Sequence, residues 1–370
     1  MNNITYVFSG NRKERFLRKD FEAIEFFYGL NIFNNDKYNL EIIEPKTTKF
    51  LGKGILKLID TFFKKVINLP VYMFEYYSFK NIKILIQTNK LVLINESTFC
   101  SLAPLLLLLK IFKKIDVYVF SMGLYSKKLK FPKLKKIHYI FIKLFAFTTN
   151  NVFFLGEGEY KKALSIHPNF HNKYVLFPFS IDTYFWKEKK ISIKDRNEVL
   201  FVGNDGNRDP ELLLKIIEHF KNIKFNVVSN LEPFTNSKLK NLNLFKGSFG
   251  SKDLKDSQLR DLYNNARLII LPLKNSYQPS GQSVTLQAMS CGRSVVISKT
   301  EGFWDTKNFK NKEHLFFVEK NDLSGWISEL NKIYNNDEII EQIEHAGKVL
   351  VESSFTLKEF ENKLVSYMDL

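Results

Sequence analysis

Short apolar runs alternate with segments of helical length and period along the whole chain. In the first half the runs at 4–8, 83–87, 91–94, 116–120 and 152–155 have strand length, and the intervals between them suit helices. The second half repeats the rhythm: strand 199–202, glycine loop 203–208, helix 210–220, strand 224–228, helix 258–264, strand 268–271, helix 283–289 and strand 294–298. Such alternation predicts an α/β chain of doubly wound, parallel-sheet type. Between the halves the pattern breaks over 175–182, and a charged stretch at 187–197 leads into the new strand. The expected organisation is therefore two Rossmann-like domains, 1–185 and 186–352, facing across a cleft, with a C-terminal helix in 353–370 crossing back to the first. No short-period repeat argues for a solenoid.

Length agrees with two domains, since 370 residues with 45% hydrophobic content exceed what one core usually holds. The N-terminus shows no apolar signal region, so the chain is expected to stay in the cytoplasm. The longest uninterrupted apolar stretch, 102–109, is far short of the roughly 20 residues of a bilayer span. Cys100 and Cys291 lie in different halves, without partners at metal-like spacing, and read as buried thiols.

Charge separates the halves. Residues 1–190 hold 31 Lys and Arg against 15 Asp and Glu, whereas 191–370 hold 24 of each, so all of the net +16 lies in the first half. Within it, residues 51–150 carry 17 basic and 4 acidic side chains, which predicts a positive surface facing an anionic partner. In 49–67, Leu51, Ile55, Leu58, Ile59, Phe62 and Val66 share one helical face, with Lys53, Lys57 and Lys64 away from it. In 127–147, seven lysines mix with Phe131, Tyr139, Phe141, Phe145 and Phe147. Both segments suit helices lying on anionic lipid; equally, the apolar stripes face the domain core and the lysines solvent. Nucleic acid is not the expected partner, because no helix-turn-helix, zinc knuckle or RNP-like motif accompanies the charge.

Candidate chemistry concentrates in 271–292, which reads LPLKNSYQPSGQSVTLQAMSCG: strand, polar loop, glycine, then a helix opening at Ser283. A helix N-terminus after such a loop presents amide groups and a positive dipole end, as a diphosphate requires. An ordinary capped helix has the same local pattern. In 203–208, Gly203-Asn204-Asp205-Gly206-Asn207-Arg208 follows the first strand of the second domain; Arg208 suits phosphate oxygens bidentately, or pairs with Asp205 or Asp209 in a turn. Lys274 is a second phosphate candidate, or a solvated surface lysine. Gly10, in the turn after the first strand, would place backbone amides at a domain cleft.

Here the sequence resembles the family 4 type of retaining glycosyltransferases, which have the GT-B fold. Gln287-Ala288-Met289-Ser290-Cys291-Gly292 lies over the end of that family's Glu-x7-Glu and Ala-Met-x-x-Gly motif, with the following strand at 295–298. Segment 178–186, PFSIDTYFW, is similar to its interdomain Pro-Asn-Gly-Val-Asp and later aromatic. The resemblance covers 150–365 well and the first 150 residues in outline. It implies a nucleotide-sugar donor, UDP-hexose foremost, bound by Gly10, Gly203, Asn204, Arg208, Lys274, Ser280, Gly281, Gln282, Ser283, Val284 and Gln287. Both motif glutamates are replaced: Pro279 stands at the first position and Gln287 at the second, where the amide oxygen takes over the ribose contact. Gln278, Ser280 and Gln282 become the candidates for the transferred sugar.

The family's N-domain histidine is missing; the strand at 116–120 ends in Ser121-Met122-Gly123. Ser121 and Glu96 are accordingly the catalytic candidates from the first domain beside Arg208 of the second, with Glu157 and Glu159 as further cleft carboxylates. Arg208 and the helix N-terminus would stabilise the leaving diphosphate without a metal or cofactor. The expected function is sugar transfer, with retention, to a lipid or lipid-linked acceptor by a protein peripheral on the inner face of the cell membrane, reached through basic residues in 49–147. A transferase for an envelope polysaccharide, or a non-catalytic sugar-nucleotide-binding relative, are the alternatives.

Overall fold

The computed structural model describes residues 2–19, 21–45, 53–127, 129–247 and 253–370. The chain divides into two compact units: Met1–Asp20, Phe27–Phe177 and Lys363–Leu370 form the first, and Phe21–Phe26 with Pro178–Asn362 the second.

The first unit is built on a six-stranded sheet of β1 (Asn2–Val7), β2 (Tyr38–Ile43), β3 (Lys90–Ile94), β4 (Asp116–Ser121), β5 (Asn151–Phe154) and β6 (Tyr174–Leu176). The order is β2-β1-β3-β4-β5-β6 and every pairing is parallel. Helices cover a parallel sheet on both faces, so β3 is buried at all five positions. The aromatic ring of Tyr367, in the C-terminal helix Leu357–Tyr367, lies against Phe153 and Phe177.

The second unit repeats the plan with β7 (Glu198–Val202), β8 (Lys224–Val228), β9 (Leu242–Phe245), β10 (Ala266–Leu271), β11 (Val295–Ser298) and β12 (Phe316–Val318). Its order is β12-β11-β10-β7-β8-β9, again wholly parallel. From β7 the chain winds outward through β8 and β9, then returns to β10 and winds the other way. The carboxyl ends of β7 and β10 therefore form the switch point at which such sheets bind ligands.

The expected strand at 83–87 is instead the end of a helix, Phe79–Gln87, whose N-cap Ser78 accepts the Asn81 amide at 3.1 Å. Its Ile84-Leu85-Ile86 run is too short for periodicity to distinguish helix from strand, and the cap decides. Strands β2, β6, β9 and β12 were absent from the sequence pattern.

The two basic segments also differ from expectation. Of the first, Lys49, Leu51 and Gly52 lie outside the described residues; helix Lys53–Phe62 and a π-turn, Phe63–Ile67, follow. The predicted single apolar face is split: Leu56, Ile59 and Phe63 pack on the core, while Ile55, Leu58, Phe62 and Val66 are exposed. Asp60 is drawn under the helix, where its carboxylate accepts the amides of Met73 and Phe74. In the second segment, helix Lys135–Ala146 turns Tyr139, Phe141 and Phe145 inward and leaves Ile137, Ile140 and Leu144 exposed. Lys128 lies outside the described residues. No helix among the described residues is long and apolar enough to cross a membrane.

Candidate active site

The loops after β7 and β10 are fastened together. Arg208 and Leu273 form an antiparallel bridge; Asp209 donates its amide to the Pro272 carbonyl at 3.0 Å, and Lys274 donates its own to Asn207 at 2.8 Å. The Asn207 side-chain amide reaches across to Gln278 Oε1 (3.0 Å) and Ser280 Oγ (2.8 Å). Asn204 anchors the first loop from the other side, accepting the Asn230 amide and donating to the Gly247 carbonyl. Glu301, beyond β11, accepts from Tyr277 and Asn275. A polar rim at a sheet edge is thereby held rigid before any ligand arrives.

Two glycines are needed there. A Cβ on Gly203 would stand 2.0 Å from Arg208 Nε, so the arginine side chain occupies the space a larger residue would take. Gly281, at φ +81°, sits at the N-cap of helix Gln282–Ser290 in the left-handed region, where a side chain is disfavoured. No side chain caps that helix. Its first turn therefore presents backbone amides at the positive end of the dipole.

Arg208 is only 4% exposed. Its Nε donates to the Val202 carbonyl at 3.3 Å, and its Nη1 lies 3.1 Å from the Asp205 carboxylate without an aligned hydrogen bond. Burial pulls the guanidinium below its ordinary value, and Asp205 and Tyr263 oppose the shift, leaving a cation at pH 7. Of the two sequence readings, the structure shows the pairing with Asp205, and Nη1 retains unused donor capacity. Asp209 serves elsewhere, capping helix Pro210–His219 through the Leu212 amide.

Along the Gln282–Ser290 helix, Ser283, Gln287 and Ser290 share one face by their spacing. Gln287 is buried and engaged at both ends: its Oε1 accepts from the Tyr263 hydroxyl (3.1 Å), and its Nε2 donates to Glu25 Oε1 (2.8 Å). The amide oxygen expected to meet a ribose is therefore already taken by a tyrosine. Glu25 Oε1 also accepts from Trp186 Nε1 at 2.7 Å, while Oε2 is buried with no hydrogen-bond partner. Burial pushes this carboxyl up to about 7, against the hydrogen bonds from Gln287, its own amide and Trp186. Tyr263 senses both the Arg208 and the Glu25 charges, so these groups form one polar cluster inside the second unit. Nothing in the sequence around Glu25 marked it.

The remaining candidates fall as follows. Ser280, Gly281, Gln282 and Val284 are buried at the helix start, Ser283 is half-buried, and Lys274 is exposed. In the first unit, Gly10 follows β1 at φ +139° and Glu96 opens helix Glu96–Phe112 after β3, at the corresponding switch point of that sheet. The Glu96 Oε2 atom is buried without a hydrogen-bond partner. Ser121 is buried and donates to Glu159 Oε1 at 3.1 Å, which also accepts the Tyr125 amide, so its hydroxyl is committed to the core. Burial pushes Glu159 up to about 8. Glu157 pairs with Lys161 on the surface of its helix. Among the described residues no group of three or more His, Cys, Asp or Glu is placed to hold a metal.

Two six-stranded parallel sheets in one chain, the second with its switch-point loops drawn over an uncapped helix N-terminus, define a two-domain α/β protein of the GT-B fold. Residues 196–336 match the family model described as Glycosyl transferases group 1. Similar solved structures include HepE of Anabaena in complex with UDP and glucose, at 9% identity and TM-score 0.68, covering 100% of both chains. Sucrose-phosphate synthase of Thermosynechococcus elongatus follows at 10% identity and TM-score 0.66, covering 100% of this chain and 98% of that one. A glycosyltransferase of Rickettsia africae matches at 14% identity and TM-score 0.61, covering 100% and 98%. No curated protein sequence matches the chain. The chain thus has the GT-B fold, and the match to the group 1 glycosyltransferase model lies within its second unit.

Proposed function

We propose that the chain moves a hexose from a UDP-sugar to a lipid or lipid-linked acceptor at the cytoplasmic membrane face, with anomeric configuration retained. The observation that carries the donor half is Arg208, a buried cation held against the switch-point loops with Asp205 as its counter-charge. Negative charge develops on the leaving diphosphate as the glycosidic bond breaks. A preorganised guanidinium and the helix N-terminus at Gly281–Val284 meet that charge without reorganising. UDP is favoured because HepE, of the same fold, has been solved with UDP and with UDP-glucose. Glu25 takes the donor's ribose hydroxyls through its unpartnered Oε2, since Gln287 is occupied by Tyr263 and by Glu25 itself. The acceptor half rests on the charge asymmetry: the basic excess lies entirely in the first 190 residues, whereas donor binding is assigned to the neutral half.

The test is a thermal-shift panel of UDP, UDP-glucose, UDP-N-acetylglucosamine and GDP-mannose on wild type and Arg208→Ala. A UDP-sugar that raises the melting temperature of the wild type and not of the variant supports the donor site. No shift with any nucleotide overturns it.

A further inference from the structure

The helices that carry the basic excess also expose apolar side chains that a water-facing helix has no use for. On Lys53–Phe62 and its continuation, Ile55 is 67% exposed and Leu58 72%, with Phe62 and Val66 completing the stripe. On Lys135–Ala146, Ile140 is 62% exposed, flanked one turn away by Ile137 and Leu144. Spacings of three and four residues make each a continuous stripe. The two helices are neighbours: the Phe63 and Phe141 rings meet edge-on at 5.0 Å, and His138 Nδ1 lies 2.8 Å from the Ile67 carbonyl oxygen. Phe62 and Ile140 adjoin those two contacting rings in sequence, so both stripes border one seam.

The exposed charges on the two helices are of one sign. Lys57 and Lys65 on the first helix, and Lys135, Lys136 and Lys143 on the second, are exposed. The only acidic residue in 53–67 is Asp60, which is turned under the helix onto the Met73 and Phe74 amides; 131–147 contains none. A patch of large aliphatic side chains bordered by lysines, without an exposed carboxylate, lacks what a soluble surface needs and has what an anionic bilayer offers: phosphate for the lysines and acyl chain for the stripe. A second copy of this chain is disfavoured as occupant because it would set lysines against lysines.

We propose that the outer faces of helices Lys53–Phe62 and Lys135–Ala146 form a two-helix platform that inserts Leu58, Phe62, Ile140 and their neighbours into the headgroup–acyl boundary of an anionic membrane. The proposal deepens the lipid-acceptor reading and rests on it. Insertion differs from purely electrostatic adsorption, because apolar contact survives salt that screens lysine.

The experiment is flotation with vesicles of phosphatidylcholine containing phosphatidylglycerol, compared with phosphatidylcholine alone, at low and high salt. Wild type is expected to float with the anionic vesicles and to keep part of that binding at high salt. Leu58→Glu with Ile140→Glu should lower the bound fraction about tenfold, while its nucleotide-induced thermal shift stays that of wild type. If the double glutamate variant fails to fold, Leu58→Cys carrying an environment-sensitive dye replaces it; Cys100 and Cys291 are buried and stay unlabelled. A blue shift on adding anionic vesicles supports insertion. Wild-type flotation by the glutamate variant, complete release by salt with no blue shift, or self-association that buries Leu58 without vesicle binding each overturns the platform. Sugar transfer to the same lipid dispersed in detergent tests the acceptor separately: product without flotation overturns the platform alone, and flotation without product overturns the acceptor reading alone.

Discussion

The two units share the same six-stranded parallel architecture and differ in what they present. At the carboxyl edge of β7 and β10, polar groups are bound to one another: half-buried Asn207 to Gln278 and Ser280, buried Gln287 to Tyr263 and Glu25, and buried Arg208 beside the exposed Asp205. On the first unit's helices Lys53–Phe62 and Lys135–Ala146, large apolar side chains are exposed among exposed lysines. A ligand of defined shape is met by polar atoms whose positions are decided in advance, because desolvated hydrogen bonds reward geometry. A fluid partner such as a bilayer has no geometry to match, so area and charge are what a surface can offer it.

The largest effect should come from disturbing the preorganised side. In Gly203→Ala the new methyl would fall 2.0 Å from Arg208 Nε and 2.7 Å from its Cδ, so the guanidinium must leave. Turnover with the donor selected by the nucleotide panel should fall about 100- to 1000-fold, the range for losing a group that stabilises transition-state charge. Adding Arg208→Ala to Gly203→Ala should cost nothing more, since both remove the same contact. Additive losses in steady-state kinetics would mean that Gly203 acts on something other than the arginine.

Two buried carboxyls, one per unit, sharpen the comparison. Glu25 holds its proton up to about 7 and Glu159 up to about 8, both above the usual carboxylate value because burial penalises the charge. In the pH window between the ordinary and the raised value, the folded chain keeps a proton that the unfolded chain has released. Stability therefore falls as pH rises through that window, by of order 3–5 kcal/mol for each group, and levels off above it. Glu25→Gln should flatten the melting-temperature profile up to about pH 7, and Glu159→Gln up to about pH 8. Only Glu25→Gln should alter donor binding. A hydroxyl donated to Oε2 favours the ionised form, so wild-type affinity for UDP should rise through neutral pH and that of the variant should not. Equal pH dependence of UDP affinity in calorimetry on both variants would remove Glu25 from the donor site.

The loops of the candidate site were legible where local chemistry repeats a physical need. Gly203, Arg208 and the run from Ser280 to Val284 declare a turn, a cation and a helix start within a few residues each. Glu25 was not legible, because its partner Gln287 is 262 residues away and nothing nearby distinguishes it from a surface glutamate. Ser121 looked available at a strand end, but only the fold shows Glu159 waiting beneath it. The helix faces failed for a different reason. Phe141 and Phe145 were grouped by composition with Phe131 and Phe147, whereas the helical phase sends the first pair into the core and brings Ile137, Ile140 and Leu144 outside. Strands β9 and β12, of four and three residues, are too short to carry a period of two.

The smallest effect should be that of Lys274→Ala, and it isolates what burial contributes. Lys274 stands in the same switch-point loop as Ser280, but its side chain is exposed, and its role in the loop is carried by the main chain, through the amide donated to Asn207 at 2.8 Å. Alanine keeps that bond. An exposed ammonium attracts a diphosphate through solvent, where screening leaves a fraction of a kcal/mol. UDP affinity should therefore fall by less than about threefold, and the deficit should disappear at high salt. The Arg208 contribution should survive salt, because its guanidinium is already out of water. If Lys274→Ala instead weakens UDP about tenfold or more at high salt, the lysine closes onto the diphosphate when the donor binds, and the distinction between a preset buried cation and a solvated bystander fails within a single loop.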